Sequence, residues 1–409
     1  NRDLHVRSRR QRQMCIRDRV SIETSPIGTL RPCCLAEDEL SDPKGNKFKI
    51  GETTIEQARD SEQMKRLRQE FLDGKRPDTC KKCWAVEDSG GKSKREYTLD
   101  RLEHMGISDE WTRDAKPLMF VDFKLGNICN LKCRICGSWS SSSYATEEVQ
   151  QFPTALRKSS FPYKMIEQGR WPREQQSFWE EMSANVDNIR YLEFTGGEPF
   201  MIKEHFQFLE TLVEKGVAGN IEIHYNTNGT KFPDAKAIWK HFKLVEIAFS
   251  IDDVNERFEY QRKNAHWQEV NDNIAKFKEL KQELGNIVLQ CCSTVNVFNV
   301  LYLEQLSHWI DEQDFDFVYW NMLHEIEYNC VANVCDELKA LAVETLEQIP
   351  DTNKHKKEFD RVITFINQGR SNQSSRELLA NVKQFDRIRA ETLSEHHPEL
   401  AEAIGYETT

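Results

Sequence analysis

The sequence predicts an α/β fold with a parallel sheet, set between a small cysteine-rich amino-terminal module and a helical carboxyl-terminal tail. Three observations lead there. From about residue 115, short apolar runs alternate with longer amphipathic ones, the pattern of successive βα units. Polar residues gather where the apolar runs end, as they do at the carboxyl ends of strands in parallel barrels. On either side of this region the pattern changes. Residues 20–100 concentrate cysteines and turn formers, and residues 337–409 carry apolar stripes at helical spacing.

The composition bounds the problem. A chain of 409 residues has room for two or three domains. It is 38% hydrophobic and 30% charged, with no apolar run near the roughly 18 residues of a membrane span and no signal-peptide core. The expectation is a soluble, cytoplasmic protein with no membrane partner. A net charge of −11 argues against nucleic acid as an obligatory partner. Most of the twelve cysteines fall in short Cx2C-like clusters, which in a reducing compartment read as metal ligation.

Taken in order, residues 1–19 hold seven arginines, no lysine and little periodicity. They read as a non-native leader of translated adapter sequence, with a basic nucleic-acid arm as the other reading. Val20 to Thr24, a Pro/Gly turn and Thr29 to Arg31 form an expected hairpin ending at Cys33 and Cys34. A helix is expected over Thr54 to Phe71, with Ile55, Ala58, Met64, Leu67 and Phe71 on one face, followed by the turn-rich Cx2C of Cys80 and Cys83. Six strands are expected within 115–330: Leu118–Lys124, Arg190–Thr195, Asn220–Asn226, Leu244–Ile251, Asn286–Val297 and Phe315–Met322. Residues 139–185, rich in Ser and Trp with Pro breaks, read as an insertion shaping access to a site. Cys291 and Cys292 read as strand thiols on opposite faces, and Cys330 and Cys335 are too few to hold a cluster alone.

The chemistry is concentrated in Gly126-Asn-Ile-Cys-Asn-Leu-Lys-Cys-Arg-Ile-Cys-Gly137, where Cys129, Cys133 and Cys136 follow an apolar strand at Cx3Cx2C spacing. A closed zinc site wants four ligands, and so does a fully ligated [4Fe–4S] cluster. Three thiolates leave one iron of such a cluster open, although zinc with a remote fourth ligand also fits the loop alone. Further on, Arg190-Tyr-Leu-Glu-Phe-Thr-Gly-Gly-Glu-Pro199 ends an apolar strand in paired glycines, which let backbone approach a ligand closely. Together these motifs resemble the radical S-adenosylmethionine (SAM) superfamily. The resemblance implies a partial (β/α)6 barrel whose three cysteines bind a [4Fe–4S] cluster. It implies that Gly196, Gly197 and Glu198 cradle the SAM ammonium. Asn228, Ser250 and Asn296, at three later strand ends, resemble positions that bond the ribose and methionine groups. Arg262 resembles an arginine that pairs with the SAM carboxylate, and Ile135 takes the apolar position near the adenine. Read bare, the Asn-Gly at 228–229 is also a common turn, and Ser or Asp often caps a helix.

The amino-terminal cysteines by themselves suit zinc or iron–sulfur equally. They resemble the twitch domain, a short relative of SPASM that carries an auxiliary [4Fe–4S] cluster: Cys15, Gly28, Cys33, Cys80 and Cys83 match its pattern, with Cys34 as a substitute ligand. The module here precedes the barrel, whereas in the family it usually follows. The resemblance implies an enzyme that reductively cleaves SAM and abstracts hydrogen from a peptide or protein, fed by a reductant such as a flavodoxin or ferredoxin. Dehydrogenation of a small molecule is the alternative, and a non-catalytic zinc or iron–sulfur protein is the rival from another class.

Overall fold

A computed structural model describes residues 17–88, 91–107, 116–152, 154, 157–369 and 374–407. Ten strands occur among them: β1 (Ser21–Thr24), β2 (Leu30–Arg31), β3 (Phe120–Lys124), β4 (Lys132–Cys133), β5 (Tyr191–Thr195), β6 (Glu222–Thr227), β7 (Leu244–Ser250), β8 (Arg262–Lys263), β9 (Ile287–Val295) and β10 (Phe317–Met322). Eight form one mostly parallel sheet in the order β2-β1-β3-β5-β6-β7-β9-β10, and β4 pairs with β8 in a small antiparallel ribbon. This is the α/β sheet that the sequence predicts, and each of the six expected strands is present within a residue or two at most ends. The sheet is longer than expected, because β1 of the amino-terminal hairpin pairs in parallel with β3. No described helix is long and apolar enough to cross a membrane.

The chain divides into two compact units. The first is formed from the described residues of Asn1–Ile128, Lys164–Tyr225 and Ala235–Val245. Its strands alternate strictly. Ile22, Val121, Phe123, Leu192, Phe194, Ile223 and Tyr225 are fully buried on one face. There Phe123 stacks on Phe194 with centroids 5.2 Å apart and meets Phe178, Trp179 and Phe208 at 5.6–6.0 Å. Such pairs contribute about 0.5–1.5 kcal/mol each beyond their burial. Phe178 and Trp179 belong to the stretch expected to be an access-shaping insertion. Instead, Gln176–Ala184 is a core helix of this unit, with Phe178, Trp179 and Met182 buried.

The expected helix over 54–71 is two helices, Ile55–Arg59 and Glu62–Leu72. Thr54 forms a capping box with Gln57, and Ser61 opens the second helix by accepting from Met64 N. Two good N-caps seven residues apart outweigh the continuous apolar stripe. Arg17 to Arg19, at the end of the segment expected to be a foreign leader, are buried; Cys15 lies outside the described residues.

The second unit comprises the described residues of Cys129–Tyr163, Asn226–Asp234 and Glu246–Thr409. The expected helical tail is present as Asp336–Glu347, Lys356–Asn367, Ser374–Arg389 and two short helices after it. Its buried Leu378, Val382, Leu393 and Leu400 cluster with Tyr260, Val297, Phe298 and Leu338, and the half-buried Ile135 packs on that cluster.

Candidate metal and cofactor centre

The cysteine loop is shaped from its own backbone. Cys136 N donates to Cys133 O at 3.1 Å, Leu131 N lies 3.4 Å from Cys129 Sγ, and Ser141 Oγ donates to Leu131 O. Two side chains from outside the loop aim donors at its sulfurs. Asn228 Nδ2 lies 3.7 Å from Cys129 Sγ and donates to Asn130 Oδ1 at 3.1 Å. Arg262 Nη1 lies 4.0 Å from Cys133 Sγ. Burial pushes the Cys133 thiol up against the opposing pull of Arg262, and burial with the neighbouring Cys133 pushes Cys136 up to about 12. A metal that binds Cys133 and Cys136 must displace their protons.

Among the described residues, no three Cys, His, Asp or Glu side chains converge on a single-ion position. A four-iron cluster takes each thiolate on a separate iron. Three cysteines in one short loop, with N–H donors near two of the sulfurs, fit the cluster.

The glycine-rich turn after β5 is sterically committed. Gly196 has φ +118, and a Cβ there would meet Leu125 N at 2.7 Å. At Gly197 it would meet Ile128 O at 2.1 Å. Glu198 N donates to that same Ile128 O at 2.8 Å, so the turn is tied to the backbone immediately before Cys129. Glu198 is 1% exposed and its Oε1 accepts from Phe200 N at 3.2 Å.

The remaining expected contacts divide. Asn228 is placed beside the cysteine loop, with its Oδ1 accepting from Thr230 N and Oγ1 at 2.9 and 2.7 Å. Ser250 ends β7, half-buried. Asn296 turns its amide onto its own bend: Nδ2 donates to Thr294 O at 2.9 Å and Oδ1 accepts from Phe298 N at 2.8 Å. Arg262, expected to face a SAM carboxylate, forks onto Asp252 Oδ2 through Nε at 3.1 Å and Nη2 at 2.5 Å. Burial alone would lower its pKa, but Asp252 and Cys133 outweigh burial and raise it. Asp252 itself is held by Thr294 N at 2.8 Å.

In the amino-terminal module Cys80 ends the short turn Asp78–Cys80 and Cys83 lies three residues on in the helix Lys81–Asp88. Both are buried, while Cys33 and Cys34 are half-buried. Burial pushes the Cys34 thiol up, and Arg17, Asp122, Lys94 and Glu193 are its charged neighbours.

One feature escaped the sequence reading. The register aligns Glu23 with Asp122, Asp122 with Glu193 and Glu193 with His224, so four adjacent parallel strands place ionisable residues in one row. The helix Lys94–His104 covers this face: Lys94 pairs with Glu193 at 2.7 Å and Arg101 with Glu222 at 2.6 Å, while Arg17 pairs with Asp122. Among the described residues, Glu23 Oε2 and Asp122 Oδ1 have no hydrogen-bond partner, and burial pushes the Glu23 carboxyl up to about 8 against Lys124. The signal was in the strands Ser21-Ile-Glu-Thr, Phe120-Val-Asp-Phe-Lys, Tyr191-Leu-Glu-Phe-Thr and Glu222-Ile-His-Tyr, each with an ionisable residue at its third position.

Residues 123–293 match the family model of the Radical SAM superfamily. No curated protein matches the chain. Among solved structures it is similar to native anSMEcpe with bound AdoMet, at 17% identity, 65% coverage of this chain, 66% of that one and a TM-score of 0.38. It is also similar to Streptococcus suis SuiB bound to precursor peptide SuiA, at 13% identity, 62% and 50% coverage and a TM-score of 0.34. The chain thus spans just under two thirds of the first structure's length. Radical SAM superfamily members are enzymes that use a [4Fe–4S] cluster and SAM. The three loop cysteines and the Gly-Gly-Glu-Pro turn lie inside the segment that matches this family model.

Proposed function

We propose that this protein is a radical SAM enzyme acting on a peptide or protein, in which Cys129, Cys133 and Cys136 hold the SAM-binding [4Fe–4S] cluster. The observation that carries the reading is the pairing of an open three-cysteine loop with a Gly-Gly-Glu-Pro turn bonded to the loop's approach through Ile128 O. A cluster held by these three cysteines would, when reduced, supply the electron for cleavage of SAM to methionine and a 5′-deoxyadenosyl radical that would take hydrogen from a C–H bond of the substrate.

The chain's own residues have separable tasks. Asn228 and Arg262 direct N–H groups toward Cys129 and Cys133, and donors of this kind offset thiolate charge. Asp252 fixes the Arg262 fork. Gly196 and Gly197, lacking side chains, leave backbone polar groups accessible, and Glu198 supplies a buried carboxylate for an ammonium. Ser250 and Asn296 supply the polar ends of β7 and β9, and Ile135 an apolar wall. Cys33, Cys80 and Cys83, with Cys15 or Cys34 as the fourth ligand, hold an auxiliary cluster. The reductant is a small electron carrier of the flavodoxin or ferredoxin kind, and the compartment is the cytoplasm.

Anaerobic reconstitution should give brown protein with about eight irons in two clusters. Reduction in the presence of SAM should release 5′-deoxyadenosine. Alanine at Cys129, Cys133 or Cys136 should abolish that release, whereas alanine at Cys80 or Cys83 should leave it and impair substrate turnover. Colourless protein holding stoichiometric zinc would overturn the assignment.

A further inference from the structure

The cysteine loop carries a second set of anchors that its cysteines do not account for. Arg134, between Cys133 and Cys136, is 4% exposed. Its Nη2 donates to Asp386 Oδ1 and to Glu391 Oε2, each at 2.6 Å. Its Nε donates to Tyr260 O at 3.1 Å, and its guanidinium lies 3.7 Å from the centroid of the Tyr260 ring. On the other side of Cys133, Lys132 Nζ donates to Glu147 Oε1 at 2.9 Å, and Glu147 Oε2 accepts from Arg389 Nη2 at 2.7 Å. Asp386 and Arg389 lie on the helix Ser374–Arg389, and Glu391 follows one residue beyond its end, after Ala390.

The receiving carboxylates are themselves fixed. Asp386 also accepts from Tyr260 Oη at 2.9 Å, Leu393 N at 2.9 Å and Tyr406 Oη at 2.8 Å. Glu391 Oε1 accepts from Lys263 Nζ at 2.8 Å, and Lys263 belongs to β8, which pairs with the loop's own β4. Arg134's backbone is bonded at both ends, its N to Gln261 O at 2.7 Å and its O to Asn329 Nδ2 at 2.8 Å. Buried ion pairs add little net stability, because desolvation offsets their attraction. What this arrangement adds is direction. Apolar side chains would cover the loop as well, but they would not fix the orientation of the residue between two ligands.

We propose that the tail segment Asp386–Glu391 is a positioning element of the cluster loop: through Arg134 it sets the direction in which Cys133 and Cys136 present their sulfurs. The proposal rests on the reading of this loop as the cluster site. The atoms that act are the Asp386 and Glu391 carboxylates on one guanidinium, and they act on the cluster loop through Arg134.

The test uses the full chain with R134A, with D386N, which removes charge and keeps shape, and with V362A as a control. Val362 is fully buried in the helix Lys356–Asn367. Two readings are taken: amide exchange over residues 129–137 in the iron-free chain, and the electron paramagnetic resonance spectrum of the reduced, reconstituted cluster with and without SAM. Both clamp variants should exchange these amides about tenfold faster than the parent while V362A does not. Their cluster signals should lose the change that SAM causes in the parent. Parent-like loop exchange in both variants, or equal loosening in V362A, overturns the proposal. Should R134A fail to fold, D386N decides by the same readings. A parent that binds no cluster sinks the radical SAM assignment, while the exchange reading still decides whether the tail orders the loop.

Discussion

Replacing Gly197 with alanine tests the glycine turn at a single carbon. The added Cβ would lie 2.1 Å from Ile128 O, 2.5 Å from Ile128 C and 2.8 Å from Asn127 C. A carbon–oxygen contact relaxes near about 3.3 Å, so one backbone must retreat by about 1.2 Å. Alanine has no torsion to turn away, and every atom it meets is main chain. The retreat would break the 2.8 Å bond from Glu198 N to the same carbonyl. Overpacking of this kind costs about 1–3 kcal/mol and the lost bond about 1 more, giving about 2–4 kcal/mol. For a cooperative unit of this size that lowers Tm by roughly 5–15 °C. Gly219→Ala is the matched control, since its Cβ would meet nothing nearer than His241 O at 3.9 Å. Thermal melts of the iron-free chain followed by circular dichroism give both values. A Gly197→Ala melt indistinguishable from that of Gly219→Ala would refute the steric argument, and with it the claim that this turn must be side-chain-free.

Two further expectations concern buried charge. Glu23 has a folded pKa near 8 against 4.5 in the open chain, so from about pH 4.5 to 8 the folded state keeps a proton that the unfolded state has released. Its contribution therefore falls as pH rises, by up to about 5 kcal/mol across that window. Glu23→Gln removes the slope, and its stability relative to the parent should climb from pH 5 to pH 8; a constant offset in urea titrations at the two pH values would show that Glu23 ionises normally. Asp252→Ala leaves the Arg262 guanidinium, 7% exposed, without its forked partner. A loss of about 3–5 kcal/mol is expected in denaturant unfolding, and a change under 1 kcal/mol would mean that Arg262 finds water or another acceptor.

What could be read in advance was local. The strands announced themselves because the core face of a parallel sheet needs alternating apolar residues, such as Leu192 and Phe194 in Tyr191-Leu-Glu-Phe-Thr195, and their ends fell where polar residues begin. The hairpin followed from its turn. The helix over 54–71 was misjudged because its apolar spacing continues across Asp60 and Ser61, while the deciding event is one hydroxyl, Ser61 Oγ, accepting from Met64 N at 3.4 Å. The pairing of β1 with β3 could not be read, since it joins Ile22 to Val121 across a long intervening segment whose length carries no register signal.

The same division runs through the candidate site, and it has a physical cause. Ligands to one cluster from one loop must be close in sequence, so Cys129, Cys133 and Cys136 are visible as spacing. Gly196 and Gly197 are visible because only an absent side chain permits their approach. The groups that orient those ligands need only be close in space. Arg134 meets Asp386 across 252 positions, and Cys133 meets Arg262 across 129. Arginine and aspartate at such separations look like any solvated surface pair until burial is known. Arg262 shows the consequence: its type and neighbourhood suggested an open fork for a carboxylate ligand, yet Asp252, ten residues earlier, already holds that fork. A ligand carboxylate that used Arg262 would have to share or displace Asp252, whose other oxygen is bound to Thr294 N. The guanidinium is therefore better placed to hold Asp252 and face Cys133 than to leave both for an incoming anion.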